Sequence, residues 1–439
     1  MGKRKQKYDP TESLRPTTLD SDLEPVARDL YEKACCGSRK YWPDISSVSE
    51  FKEDQPLRRK FLSAAHEGMR AAQSYIVQRV ESDSGLAFSE ELLYRSIADS
   101  IAWQFLGGQL CHARRFFRGH NQPDLKESNF SSVVTAANSI VENSPDSMPL
   151  LSDLTSFVQI GDILSLDPKH GLSIIEVKEG RVNHRISNFL DFYSESGCDR
   201  ALHYFISQEG PHTVKQMQRM MRQSGRMAHI IEVMSSGTST DPDSGQKVHI
   251  PEEVIPISDW DQELNALIDR SEDKGWALDV VEDCLFVACY ADTPMFPGSH
   301  LAFNLWFDKC GGDPESPRAR MMDSIRAPLA LPIFSRRIPA EKMFDLLFGR
   351  KHICMALSLE KLIAKCEEDG LTVRQGTNKE TSRLDQAGAK PYRHKGKSIF
   401  IGDGSNELVL MDGIFMRAFF HGQKPVSTIK SILAEGWPT

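Results

Sequence analysis

Val158-Gln159-Ile160-Gly161-Asp162-Ile163-Leu164-Ser165-Leu166-Asp167-Pro168-Lys169-His170-Gly171-Leu172-Ser173-Ile174-Ile175-Glu176-Val177-Lys178 holds two apolar runs on either side of a turn-forming run, Asp167 to Gly171. It reads as an antiparallel hairpin of strands 157–166 and 172–178. Strand side chains alternate faces, so Val158, Ile160, Asp162, Leu164 and Leu166 share one face, as do Leu172, Ile174, Glu176 and Lys178. With the turn centred on Lys169, opposed residue numbers sum to 338, so Leu166 faces Leu172, Leu164 faces Ile174 and Asp162 faces Glu176. Opposed Cβ atoms stand about 4.5–5.5 Å apart, where like charges destabilise. Two carboxylates so placed call for a cation. Lys178, two residues on, supplies one, and a divalent metal would supply another; Mg2+ suits an oxygen-rich site with free water positions.

The pattern Asp162-x13-Glu176-x-Lys178 across a hairpin resembles the PD-(D/E)xK, restriction-endonuclease-like, nuclease superfamily. The resemblance implies that Asp162 and Glu176 bind the metal, that the Val177 backbone carbonyl adds a ligand and that Lys178 orients the attacking water. Gly161 stands where the family's name has Pro. The family adds a Glu on the helix before the hairpin. Here that helix is expected over 90–106, with Ser89 as N-cap and a stripe of Leu93, Ile97, Ile101 and Phe105. At 100° per residue from Ile97, Glu90 lies about 20° off the stripe and Glu91 about 120° off, so Glu90 is the candidate and Glu91 the runner-up. Acidic residues in a first helical turn also oppose the helix dipole, which by itself accounts for both.

Beyond the hairpin, Lys215, Arg219, Arg222 and Arg226 recur at four, three and four residues and share one face of a long helix expected over 212–234. Such a face can track nucleic-acid phosphates without reading bases. It can equally be a solvated face or a partner for the acidic segment 232–283. That segment carries 14 acidic and 3 basic residues, a net of −11, leaving +3 for the remainder of a chain at −8. Any nucleic-acid surface is therefore local. Arg114-Arg115-Phe116-Phe117-Arg118 places rings among cations, which suits stacking on unpaired bases or a structural role at a helix end.

The chain of 439 residues, 40% hydrophobic and 26% charged, has ordinary globular composition and a length that predicts two or three domains. Its longest apolar stretches are too short to span a membrane. The basic start, Met1 to Gln6, lacks the apolar region of a secretory signal and the Ser or Thr of a myristoylation signal. Nine cysteines without repeated spacing fit a reducing cytoplasm. Gly396-Lys397-Ser398 lacks the first glycine of a phosphate loop, and Gly402-Asp403-Gly404 the third of a dinucleotide fingerprint.

Further strands are expected at 201–207, 285–290 and 398–401, with a hairpin of 408–411 and 414–420 around Asp412-Gly413. Helices are expected from near Pro56 and at 133–141, 340–348 and 358–368, and a loop over 237–245. The resemblance implies an α/β fold, a mixed central sheet flanked by helices, with N-terminal helical and C-terminal α+β regions added. The chain divides on this reading into an arm (1–55), a helical lead-in plus nuclease-like domain (56–235), and a C-terminal region (236–439) serving recognition, regulation or oligomerisation. The activity implied is metal-dependent hydrolysis of phosphodiesters, DNA ahead of RNA, in the cytoplasm and in defence against foreign nucleic acid. Its cofactor is Mg2+, with Mn2+ second. Its partners are nucleic acid and, through the C-terminal region, a second copy or a regulator, and not a membrane. The rival is a non-catalytic nucleic-acid-binding or scaffold protein with a degenerate hairpin.

Overall fold

A computed structural model describes residues 14–82, 85–120, 122–128, 130–178, 180–240, 247–250, 257–291, 296–312, 316–386 and 391–434. The basic start and part of the 237–245 segment lie outside them. Helices and strands are mixed, as expected, but the sheets are several and small, and every ladder among the described residues is antiparallel where a mixed central sheet was expected. The chain forms two compact units that interleave in sequence, in place of a linear division: described residues of 1–28, 87–96 and 253–439 form one, and those of 29–86 and 97–252 the other. The expected arm contains a helix, α1 (Glu24–Cys36).

In the unit holding the hairpin, α2 (Gln55–Ser82) is the helix expected from near Pro56 and buries Met69, Ala72 and Ile76. Helix α3 (Phe88–Phe105) buries Leu93, Ile97 and Ile101. Its first residues, to Ser96, belong to the other unit. Ser89 lies inside this helix and donates to Asp20, so it is not the N-cap. Gly107 and Gly108, both at positive φ, end the run, and α4 (Leu110–Phe116) and α5 (Phe130–Asn143) follow. The sheet is a meander of β1 (Met148–Leu151), β2 (Ile163–Asp167) and β3 (Gly171–Ile175). Trp103 packs on Phe157 with ring centroids 5.3 Å apart, and Leu150, Ile163 and Leu164 of the sheet are fully buried. Each such side chain stabilises the fold by roughly 1.5–3 kcal/mol.

Strand β1 is not among the strands expected from the sequence. Its outer edge is closed by α2: Arg70 Nη1 donates to Ser147 O, Gln73 Nε2 donates to Pro149 O at 2.9 Å, and Leu151 N–H donates to Gln73 Oε1 at 2.9 Å. His66 Nδ1 meets Asp146 O on the same side. Pro149 thus turns its missing N–H to the edge, where no ladder bond is required. At the far end of β2 the Asp167 carboxylate accepts from the Ser144 and Ser147 hydroxyls and from the Lys169 and His170 N–H groups, shaping the turn and holding its carboxyl well below the usual range.

The expected strand at 201–207 is a helix. Segments α6 (Gly180–Ser196), α7 (Asp199–Gln208) and α8 (Pro211–Ser236) form a helical trio. Leu202 and Phe205, three apart, pack toward Ile186, Met217 and Met220, and Phe205 stacks on Phe189 at 4.0 Å. The helical period therefore outweighs the β-rich composition. Within the expected loop, Thr238–Thr240 forms a strand that pairs with Lys247–His249 just beyond it.

The other unit has a four-stranded sheet of β4 (Trp276–Val281), β5 (Leu285–Ala291), β6 (Arg318–Arg320) and β7 (Lys351–Leu357), in the order β4-β5-β7-β6. Strand β5 and the helices Ala340–Leu347 and Leu359–Glu368 match the sequence reading. Fully buried Leu14 joins Phe286, Phe303 and Phe307 in its core. The N-terminal segment is fixed there by bonds from His352 Nε2 to Leu14 O and from Leu19 N–H to Leu347 O, each 2.9 Å. A smaller sheet contains Lys397–Gly402 as expected. The hairpin about Asp412-Gly413 is instead the helix Asp412–Phe419, because Ile414, Phe415, Ala418 and Phe419 recur with helical period and are buried.

Candidate active site

The β2–β3 ladder pairs Leu166 with Leu172, Leu164 with Ile174 and Ile163 with Ile175, the register expected from the sequence. The ladder ends at Ile163 and Ile175, short of the expected Asp162–Glu176 pair and of residue 178: Asp162 N–H donates to Ile175 O at 2.8 Å, and Asp162 O accepts from Ser152 N–H at 2.9 Å. Strand β2 begins at Ile163, not 157, because Gly161 takes φ +78. A Cβ there would stand 2.4 Å from Ile174 Cγ2. Proline, whose ring fixes φ near −65°, cannot occupy this position.

Asp162, Glu176 and Lys178 come together at the end of the hairpin. Val177 N–H donates to Asp162 Oδ2 at 2.6 Å. Lys178 Nζ donates to Glu176 Oε1 at 2.7 Å and to Gln223 Oε1 of α8 at 3.2 Å. The Glu176 and Lys178 side chains are 16% and 20% exposed, so this ion pair is largely withdrawn from water. Burial, and then the neighbouring Glu176 carboxylate, push the Asp162 carboxyl up to about 6, against the opposing pull of the Val177 N–H and Lys178. Asp153, in the single-turn helix Ser152–Leu154 between β1 and β2, adds to the rise.

Sequence reasoning missed Asp153, because it lies outside the hairpin, and Gln223, because it stands on a separate helix 45 residues beyond Lys178. It also missed Asp99, on the α3 face about 200° round from Ile97. Asp99 accepts from Ser156 N–H at 2.7 Å and Ser156 Oγ at 2.6 Å and so holds the approach to β2.

Glu90 and Glu91 belong to the part of α3 in the other unit. Glu90 is 6% exposed and accepts from the Tyr94 hydroxyl at 2.7 Å, whereas Glu91 pairs with Arg95 at 2.8 Å. The stripe geometry thus chose correctly which of the two is buried. Among the described residues no three His, Cys, Asp or Glu side chains assemble as a metal-binding group. The Asp162 and Glu176 carboxylates, with a nearby backbone carbonyl at Val177, are the hard oxygen donors that suit Mg2+. The mutual repulsion that raises Asp162 is what a cation would relieve.

Lys215, Arg219 and Arg222 are exposed on α8 and Arg226 is half-buried, while Met217, Met220, Ile230 and Val233 are buried. At 100° per residue the four cations span about 60°, centred about 70° from Gln223. The stripe therefore flanks the residue that reaches Lys178. In the Arg114–Arg118 cluster Phe116 is fully buried and cannot stack on a base. Among the described residues no helix is long and apolar enough to cross a membrane. Comparison with protein families, with curated proteins and with solved structures finds no match.

Proposed function

We propose that this protein is a metal-dependent nuclease that hydrolyses phosphodiester bonds, with DNA ahead of RNA as substrate and with a restriction-endonuclease-like arrangement around the hairpin. The observation that carries the reading is the approach of Asp162, Glu176 and Lys178 at the open end of the hairpin, where Val177 N–H bonds Asp162 and Lys178 bonds Glu176. Asp162 and Glu176 would hold Mg2+ or Mn2+, and the Val177 carbonyl would add a ligand. Bound there, the cation supplies Lewis acidity toward a phosphate oxygen and water. Lys178 places positive charge where negative charge develops on the phosphate. The α8 stripe holds the backbone. The unit containing the C-terminal half would serve recognition, regulation or self-association, and defence against foreign nucleic acid in the cytoplasm is the setting this activity fits.

The rival reading, a non-catalytic nucleic-acid-binding protein, draws on one observation: Lys178 occupies Glu176, the carboxylate a metal would use. Plasmid and RNA digestion in Mg2+, Mn2+ and excess chelator separates the two. Cleavage that needs the metal and is lost in Lys178→Ala, with binding retained, supports the nuclease. Undiminished cutting by Lys178→Ala, or by wild type in chelator, removes the mechanism, and intact substrate in every arm favours the rival.

A further inference from the structure

An ammonium group has three donors. Lys178 commits one to Glu176 Oε1 and another to Gln223 Oε1. With one acceptor, the group turns freely about its Cε–Nζ bond. Two acceptors on different elements, β3's extension and α8, fix the direction of the third donor. Lysine accepts nothing, so the Gln223 amide must present its oxygen to Nζ and not its nitrogen.

The chemistry of position 223 suits this task. An apolar side chain would leave Lys178 with Glu176 alone, the carboxylate assigned to the metal, so lysine and cation would compete for it. A carboxylate would bring a further negative charge to the lysine that already pairs with Glu176. A neutral acceptor avoids both. Gln223 also sits about 70° round α8 from the basic stripe, so one helix carries the lysine's anchor and the cations that face phosphate.

We propose that Gln223 is a positioning residue that holds Lys178 beside Glu176, with its third donor turned toward the phosphate of a nucleic-acid strand lying along α8. Its chemical purpose rests on the nuclease reading, but the hold on the lysine is measurable without it. Gln223→Leu keeps the volume and removes the acceptor; Gln223→Glu keeps the acceptor and adds a charge. Acylation of Lys178 by acetic anhydride, followed by peptide mass spectrometry on the full-length metal-free chain, should rise several-fold in Gln223→Leu and not in Gln223→Glu.

On duplex DNA with Mg2+, Gln223→Leu should lower kcat roughly ten- to a hundredfold with KM within about twofold. Gln223→Glu should retain kcat within about threefold and raise KM, because its charge repels the backbone. Equal Lys178 acylation in wild type and Gln223→Leu overturns the positioning role whether or not the wild type cuts. An equal fall in kcat for both variants overturns it as well, since a general defect in α8 would move them alike. Failure of the wild type to cut any substrate is a different result, and it counts against the nuclease reading.

Discussion

The Asp162 carboxyl loses its proton near pH 6 in the folded chain, against about 3.9 when unfolded. The folded state therefore binds the proton more tightly. The stability this contributes is fully present below pH 3.9 and is lost as pH rises through 6. In the metal-free protein at pH 8, Asp162→Asn should be more stable than wild type by about 1–2 kcal/mol, a figure discounted for the partial exposure of the site. The gap should close toward pH 4. Mg2+ should raise the melting temperature of wild type more than that of the variant. Thermal melts at the two pH values, with chelator and with Mg2+, provide the check; a less stable variant at pH 8 with an equal Mg2+ response would sink the shared site. Residue chemistry of this kind was legible in advance because the turn at Lys169 sets the β2–β3 register as far as Ile163 and Ile175, which brings the residues just beyond them close together. Asp153 and Gln223 were not legible, since each approaches the hairpin only through tertiary packing.

Helix α8 joins two roles, burying Met217, Met220, Ile230 and Val233 while presenting Lys215, Arg219 and Arg222 to solvent. Neutralising those three together with Arg226 should weaken binding to all DNA sequences alike. Each lost phosphate contact should flatten the log–log salt dependence by about 0.9. Fluorescence anisotropy across a salt series measures this, and an unchanged slope would return the stripe to packing. Strong periodicity made α2, α3, α5 and α8 readable from sequence. The reading failed where tertiary context decided. Residues 201–207 are rich in strand formers, yet Leu202 and Phe205 have a helical partner in Phe189. Residues 414–420 follow a favoured hairpin dipeptide, yet their apolar positions close a helix face. Strand β1 was hidden by Pro149, whose position becomes acceptable only because Gln73 serves the edge it faces.

Across the whole molecule, the chain passes four times between its two units. A linear division could not reveal this, because nothing in the composition of residues 14–28 marks their partners. Leu14 and Leu19 bond to His352 and Leu347, more than 300 residues later. During translation at about 5–20 residues per second, that segment must wait roughly 20–70 s before its partners exist. The apolar side chain of Leu14 is exposed to chaperones and proteases throughout that interval. A chain ending at residue 340 should be cut rapidly near Leu19 in limited proteolysis, whereas the full-length protein should resist there. Equal rates would show that the early segment finds protection without the late strand. Otherwise, a late stretch of the message decides whether an early one survives, and a stop placed before residues 347–352 is conveyed back to residues 14–19 as a site for degradation.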